Sequence, residues 1–525
     1  MSTLRGMKWK TLIHNGVALP PEYEAKGIKV GLKGDWLIPD PIVEEMLYAW
    51  AKKKDTPYVK DEVFQKNFLE SLKPHLPPAY RDITFNDIDL SEYYKFIDEE
   101  KRKKESLSKD EKKRLTQERK KMREELKAKY GYAIVDGIKV EISNWMVEPP
   151  GIFMGRGNHP LRGKWKERVK FEDIILNLGE DAPIPEGNWG GIVHDHTSMW
   201  LAKWVDKINP SKNKYVWLSE SSFLRQRQDY LKYDIASKLD KKIDRIRGVI
   251  VKMLSSKRKS IRKVATVCYL IDTLALRVGD EKDEDEADTV GATTLRVEHV
   301  KLNKNSIEFD FLGKDCVRWQ KVIENPNLQL IDNFKEFMKG KKPQDLIFDG
   351  ITSEKVNDFL KRFDKGLTAK VFRTYIATKT VKEFLEKVND TIKNEDEYVK
   401  LYYAKLANLE AAIKCNHKRT PPKNWEESIK KKEERLAKLL ATPKPKTEKG
   451  LQRLEQRIKK AKLQLELAKA IKEYNLNTSL KNYIDPRVYY EWSKQIGLDW
   501  KRIYPKSLQR KFIWVENEIP LLKVK

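Results

Sequence analysis

Apolar positions along the chain change their period several times, and each change predicts a different element. Short apolar runs at 28–32 and 36–38 predict strands, and three-to-four spacing over 41–54 predicts a helix among many Pro and Asp breaks. The first ninety residues therefore form a small mixed unit. Residues 91–130 keep a helical period inside a dense charge run, broken around 106–109, which predicts two helices in a solvated hairpin or a positive surface. Strands and turns return over 141–218. From 226 to 419 the period is mainly helical.

Inside that helical stretch, residues 297–322 predict a hairpin. Ile307, Phe309 and Phe311 alternate with Glu308 and Asp310, and Gly313-Lys314-Asp315 interrupts before a second strand from 316 to 322. A helix over 260–278 places Ile261, Val264, Cys268, Ile271 and Ala275 on one face and stops at Gly279, so Arg277 projects from its end. Thr368 caps a helix that carries Arg373 in its second turn. Residues 424–472 predict two amphipathic helices joined by the turn 442–446, with Leu451, Leu454, Ile458, Ala461, Leu465 and Ala468 in heptad steps. That pattern is an antiparallel coiled-coil arm. A last aromatic-rich segment, 475–525, contains Tyr483.

Length changes the picture first: 525 residues exceed what one core organises, so several domains are expected. Hydrophobic residues at 40% argue for folded domains despite 35% charged residues. A formal charge of +27, from 106 Lys and Arg against 79 Asp and Glu, favours a polyanionic partner, nucleic acid first and an anionic membrane second. The chain has no run of about eighteen apolar residues and no apolar run in its first ten, which counts against a membrane or secreted role. Cys268, Cys316 and Cys415 form no CxxC pair, and no HExxH occurs. The sequence His194-Asp195-His196 fits a strand or loop better than a metal cluster. Around Gly157 and Lys164 a P-loop spacing is missed by one residue, and Trp165 stands where Ser or Thr would hold magnesium. Neither a metal nor a cofactor is expected.

Five polar residues invite a chemical reading, and each has a structural alternative. Arg277 can complement a helix dipole. Lys314 at a hairpin tip can serve solubility. Arg373 can bind a phosphate at a helix N-terminus. His417, just before Pro421-Pro422, can cap helix carbonyls. Tyr483 is one of 21 tyrosines, and packing is a tyrosine's ordinary role.

Their order and neighbours carry more weight. The segments Leu274-Ala275-Leu276-Arg277, Phe309-Asp310-Phe311-Leu312-Gly313-Lys314-Asp315, Lys370-Val371-Phe372-Arg373-Thr374-Tyr375, Cys415-Asn416-His417 and Leu480-Lys481-Asn482-Tyr483-Ile484-Asp485-Pro486-Arg487 follow one another along the chain. Ahead of them stand Glu148-Pro149-Pro150-Gly151 and Gly155-Arg156-Gly157-Asn158-His159-Pro160. In these runs the chain resembles the cellular type IB DNA topoisomerases over nearly its whole length. The resemblance implies a multidomain α+β fold: a mixed α/β cap clamp, a mainly helical, tyrosine-recombinase-like catalytic domain, an antiparallel coiled-coil linker and a small helical C-terminal domain. The corresponding boundaries are 1–212 for the cap region, 213–420 for the catalytic core, 421–474 for the linker and 475–525 for the C-terminal domain.

The same resemblance implies a catalytic set of Arg277, Lys314, Arg373, His417 and Tyr483, and supercoil relaxation through a 3'-phosphotyrosyl intermediate without ATP or metal. It implies double-stranded DNA as partner, with Arg156, Asn158 and Lys370 as DNA contacts, and a monomer clamped around the duplex with no membrane role. It also places Arg156, Asp315 and Asn482 beside camptothecin in a trapped complex. The residue types suit the chemistry. A free tyrosine phenol is only about 0.1% ionised at pH 7, so attack on a phosphodiester needs help. Paired arginine donors can bind the two non-bridging oxygens, His417 can donate to one of them, and Lys314 can protonate the leaving 5'-oxygen.

The resemblance has two departures. The arm between His417 and Tyr483 is shorter than in the nuclear members, and cap-like sequence begins near Lys8 without a long disordered tail. An archaeal-type, compact version acting in the cytoplasm or nucleoid is the expectation, with the nucleus as the alternative. A tyrosine recombinase shares the nucleophile and arginine pair, but Lys370 stands where recombinases usually have histidine. A non-enzymatic DNA-binding scaffold would satisfy the charge and leave the five residues unexplained.

Overall fold

In the computed structural model, described over residues 6–279 and 290–516 except for the side chain of Asp315, the chain divides into two compact units that meet in sequence at Arg225 and Gln226.

The first unit is mixed. Val30–Leu32 pairs antiparallel with Asp35–Leu37 and with Ile88–Asp89. The helix Pro41–Ala51 starts where sequence rules place it: Pro41 needs no amide donor, and the Asp40 carboxylate accepts from the Ile42 N–H. Its face of Val43, Met46, Leu47 and Trp50 is buried, and the Trp50 ring meets Phe68 and Phe85 at 4.6 and 4.4 Å. Glu44 is buried too, where its carboxylate accepts from the Tyr23 hydroxyl and from the amides of Lys26, Gly27 and Ile28.

The charge run forms two helices, Ser91–Ser106 and Lys109–Tyr130, broken where expected. A capping box between Ser108 and Glu111 starts the second, which buries none of its residues. Beyond it, a three-stranded sheet (Leu12–His14, Tyr132–Val135, Ile138–Glu141) and a four-stranded one enclose a core that includes Trp9, Trp145, Leu201 and Val216. His194 and His196 each direct Nδ1 to a backbone carbonyl, of Leu178 and Trp9, in this framework.

The second unit is mainly helical around one antiparallel sheet, Val300–Leu302, Ser306–Gly313 and Val317–Glu324. The alternation read from sequence is realised: Ile307, Phe309 and Phe311 are buried with Trp319 and Ile323 on the opposing strand. The central helix Ala369–Ile392 joins this core, through Val371 and Phe372, to a second one formed by Val381, Leu385, Ala404, Ala411, Leu480, Tyr489 and Trp492. Truncating fully buried Phe372 to Ala would cost about 3–5 kcal/mol.

Three expectations are corrected. The helix expected over 260–278 is Lys259–Leu274, because Ala275 turns left-handed (φ 52°) and the chain after it bonds elsewhere, with Ala292 N–H donating to Arg277 O and Thr293 N–H to Val278 O. Those non-local bonds offset a strain of about 1–3 kcal/mol at Ala275. Gly279, the expected stop, instead passes so close to Gly291 that a Cβ on Gly291 would lie 2.4 Å from the Gly279 Cα. Thr368 precedes Ala369–Ile392 in extended conformation but makes no side-chain cap; Asn357 Oδ1 accepts from the Ala369 N–H instead.

The third correction concerns the arm. Trp425–Leu440 and Glu448–Ala470 do pair antiparallel, through Leu436, Leu439, Leu454, Ile458 and Ala461. Near its end the seam rotates: Leu467 is buried while Leu465 and Ala468 stay half-buried. There the second arm helix meets Glu397–Lys414, with Lys459 paired to Glu395 at 2.7 Å and Leu467 lining a groove with Leu401 and Tyr402.

Candidate active site

His417 owes its position to the way a helix ends. Glu397–Lys414 stops at Cys415, Asn416 adopts a left-handed conformation (φ 51°), and the amides of Asn416 and His417 donate back to the carbonyls of Ile413 and Ala412. This is a Schellman ending, and asparagine is the side chain after glycine that best tolerates its left-handed residue. The expected role of His417 as a side-chain carbonyl cap is thus filled by backbone, which frees the ring.

That ring meets Arg373. The guanidinium is 3% exposed on Ala369–Ile392, and one nitrogen, Nη2, donates to the Cys415 carbonyl at 2.9 Å and faces His417 Nε2 at 3.2 Å. A guanidinium only donates, so Nε2 accepts and the imidazole proton belongs on Nδ1. Burial first, then the charges of Arg373 and Arg277, push the His417 pKa down to about 3. Imidazole Nδ1 and Arg373 Nε are both buried without a partner.

Tyr483 closes the triangle. It follows Leu476–Asn482, donating its amide to the Ser479 carbonyl at 2.9 Å, and the helix start is tied to the histidine because Asn475 N–H donates to the His417 carbonyl at 2.7 Å. The phenol ring stacks on His417 with centroids 5.0 Å apart, and Arg373 Cζ lies 5.0 Å from its centroid. Arg277, on the irregular stretch after Ala275, stands near the Tyr483 side chain; burial and then Arg373 pull its pKa below the usual range, while Tyr483 holds it up. Among the described residues no carboxylate is hydrogen-bonded to Arg277 or Arg373. One buried and one half-buried cation, with no acid bonded to either, stand beside a phenol and form a socket for an anion with at least two acceptor oxygens.

Four of the five expected residues therefore converge. Lys314 does not touch them: it is exposed on the turn Lys314–Cys316 at the tip of the hairpin. Lys370 is exposed three residues before Arg373. In the other unit, Arg156 and Asn158 are exposed on a loop whose Gly155 and Gly157 both have left-handed φ, 64° and 56°. Asn482 donates to the Thr478 carbonyl at 3.2 Å, and the side chain of Asp315 falls outside the described ones. Two neighbours escaped sequence reasoning. Lys232 donates to the Asn482 carbonyl at 3.2 Å and pairs with Asp229, which Lys511 also contacts; Thr378 bonds the backbone on either side of Ile484. Only the spacing of Asp229 and Lys232 on one helical face hinted at either. Among the described residues no group of three or more His, Cys, Asp or Glu converges on a metal position.

Three family models together cover most of the chain. Residues 7–218 match a family model described as eukaryotic DNA topoisomerase I, DNA binding fragment; residues 221–451 match the catalytic core of the same enzyme; and 455–520 match a C-terminal topoisomerase domain. DNA topoisomerase 1 of Homo sapiens is 35% identical across 97% of this chain and 71% of its own length. The chain belongs to the DNA topoisomerase I family. Other relatives are DNA topoisomerase 1 of Drosophila melanogaster and DNA topoisomerase 1 beta of Arabidopsis thaliana, each 37% identical over 97% and 98% of this chain. The chain spans only 54% and 59% of those two. Within this topoisomerase I chain, Arg277, Lys314, Arg373 and His417 lie in the catalytic-core match and Tyr483 in the C-terminal one, so the socket is assembled from two family modules. No described helix is long and apolar enough to cross a membrane.

Proposed function

We propose that this chain is a type IB DNA topoisomerase that relaxes positive and negative supercoils by transient cleavage of one strand of duplex DNA. The observation that carries the reading is the packing of Arg373, His417 and Arg277 around the Tyr483 phenol. The phenolic oxygen attacks the scissile phosphorus and its proton leaves to water. The P–O5' bond breaks, the 5'-oxygen takes a proton from Lys314, and a 3'-phosphotyrosyl diester remains. Religation is the reverse, with the 5'-hydroxyl displacing the tyrosine. One diester replaces another, so neither ATP nor a redox partner is required.

Arg277 and Arg373 bind the non-bridging oxygens as charge develops in the transition state. An arriving oxygen competes with His417 for the Arg373 donor, and the imidazole, kept neutral by burial, contributes an N–H once its proton moves from Nδ1 to Nε2. Lys314 acts from the hairpin tip through the minor groove, which fits its exposure and its separation from the other four before DNA binds. In this reading 1–212 is the cap that closes on the duplex with Arg156 and Asn158, 213–420 is a tyrosine-recombinase-like helical domain with Lys370 at the backbone, 421–474 is the linker and 475–525 delivers the nucleophile to a monomeric clamp. A net charge of +27 supports a duplex held through phosphates.

The test is relaxation of supercoiled plasmid in EDTA without ATP, for the natural chain and Tyr483→Phe. The natural chain relaxes DNA of either sign and the variant relaxes neither, while duplex affinity stays within about twofold because one oxygen is deleted. Relaxation by Tyr483→Phe would refute the nucleophile, and an inert natural chain the whole reading.

A further inference from the structure

We propose that Thr378 is a positioning residue for the strand-transfer reaction: its hydroxyl clamps the backbone on both sides of Ile484 and thereby sets where the Tyr483 phenol stands relative to the phosphate socket. This rests on the functional reading above and adds a residue to it. Thr378 Oγ1 donates to the Tyr483 carbonyl at 3.1 Å and accepts from the Asp485 N–H at 3.0 Å. A hydroxyl has one donor hydrogen, and here it is spent on the nucleophile's own peptide.

The clamp matters because of what it is attached to. Thr378 and Arg373 belong to the same helix, Ala369–Ile392, five residues and about 7.5 Å of helical rise apart. One rigid element therefore carries both the guanidinium of the socket and the grip on the nucleophile, so their separation is fixed by helix geometry rather than by loop packing. Ile484 itself is fully buried, so packing holds the segment in place, while a cavity of about 430 Å³ lined by Thr378, Asp485, Val488 and Trp492 lies against it and leaves the direction of its backbone to the hydrogen bonds. On the preceding side, Lys232 holds the Asn482 carbonyl at 3.2 Å, so loss of the threonine hydroxyl releases one end of the segment rather than unfolding it.

Phosphoryl transfer is sensitive to alignment, and displacement of a reacting atom by about 1 Å can cost on the order of 100-fold in rate. The clamp acts on a transition state shared by cleavage and religation. Its loss therefore slows both directions alike and leaves the ratio of cleaved to intact DNA almost unchanged.

The experiment compares the natural chain with Thr378→Val, Thr378→Ala and Thr378→Ser. Single-turnover cleavage uses a nicked oligonucleotide whose downstream fragment diffuses away. Religation of a supplied 5'-hydroxyl strand, the cleavage equilibrium on intact duplex and duplex affinity are measured on the same preparations. Val and Ala variants slow cleavage and religation each by about 10- to 100-fold, keep the equilibrium and affinity within about twofold, and Ser restores rates to within a few-fold. Because Val fills the site and Ala empties it, a packing defect in one does not excuse the other. Natural rates in either variant, an equal loss in Ser, or a rate loss matched by lost affinity overturns the role of Thr378. A natural chain that forms no adduct overturns the functional reading itself.

Discussion

Acid pH should destabilise the surroundings of His417, by an amount that its burial and its two arginine neighbours set. His417 is 3% exposed, and desolvation, then Arg373 and Arg277, bring its pKa down to about 3. Once the surrounding structure opens, the ring reverts to an ordinary imidazole near 6.5. The opened chain therefore binds a proton below pH 6.5 that the folded chain refuses. Stability is insensitive to this group above pH 6.5 and falls as pH falls from about 6.5 to about 3. At pH 4.5 the opened form has gained two pH units of proton binding and the folded form almost none, a loss of about 2.7 kcal/mol. In His417→Gln the amide oxygen can still accept from Arg373 but nothing titrates. Hydrogen exchange of the amides in Glu397–Lys414, whose opening frees residue 417, reads the local free energy at pH 7.5 and 4.5. Natural chain minus variant, the loss between the two pH values is about 2.7 kcal/mol. Shared groups cancel, including His14, which burial, opposed by backbone hydrogen bonds to Asn177 and Leu201, brings down to about 4. Equal losses in the two proteins would refute the account of a neutral buried imidazole.

The other predictions follow from the proposed chemistry. Lys314→Ala cleaves an ordinary strand at least 100-fold more slowly but a strand with a 5'-bridging sulfur at nearly the natural rate, since that leaving group needs no proton; equal defects on both substrates remove Lys314 from the acid role. Duplex affinity falls by about 10³- to 10⁵-fold between 50 and 200 mM salt if the clamp neutralises six to ten phosphates, and a flat titration contradicts backbone-dominated binding. Camptothecin raises the count of 3'-phosphotyrosyl adducts on plasmid, and Asn482→Ala blunts the rise; no drug-dependent increase, or an unchanged one in the variant, refutes a drug site beside Asn482.

Much of the architecture was legible because it is encoded by local pattern. The break between Ser91–Ser106 and Lys109–Tyr130 follows from Ser108 and Glu111 as a capping box, and the buried face of Ser306–Gly313 from strict alternation of Ile307, Phe309 and Phe311. The arm helices followed from heptads up to the point where a third helix intervenes. Beyond Ala461 a pairwise seam no longer predicts burial, and Leu467 rather than Leu465 or Ala468 goes inside. The identities of the five candidate residues came from motif order along the chain, not from any property a single side chain displays.

What escaped the sequence is the way backbone is held by groups distant along the chain. Helix Lys259–Leu274 has the composition to continue to Gly279, yet the carbonyls of Arg277 and Val278 find amides at 292 and 293, and this competition pulls Ala275 into a conformation that alanine disfavours. The consequence is chemical, because an Arg277 continued in helix would not be set on the irregular stretch from which it approaches Tyr483. His417 shows the complementary case. Its Schellman ending is local, and Asn416 just before it was a readable signal for the left-handed residue, but the neutrality of the ring arises from burial in the tertiary fold and then from Arg373, 44 residues earlier, and Arg277. Thr378 stands furthest from sequence inference, since its hydroxyl is committed to a backbone more than a hundred residues away. A single helix that presents both Arg373 to the anion socket and Thr378 to the nucleophile's peptide converts these non-local contacts into one fixed distance. Under the proposed function the site reforms the bond it breaks, so that distance would govern cleavage and religation alike, and the precision of the chemistry would reside in the helix and its hydrogen bonds as much as in the side chains proposed to meet the phosphate.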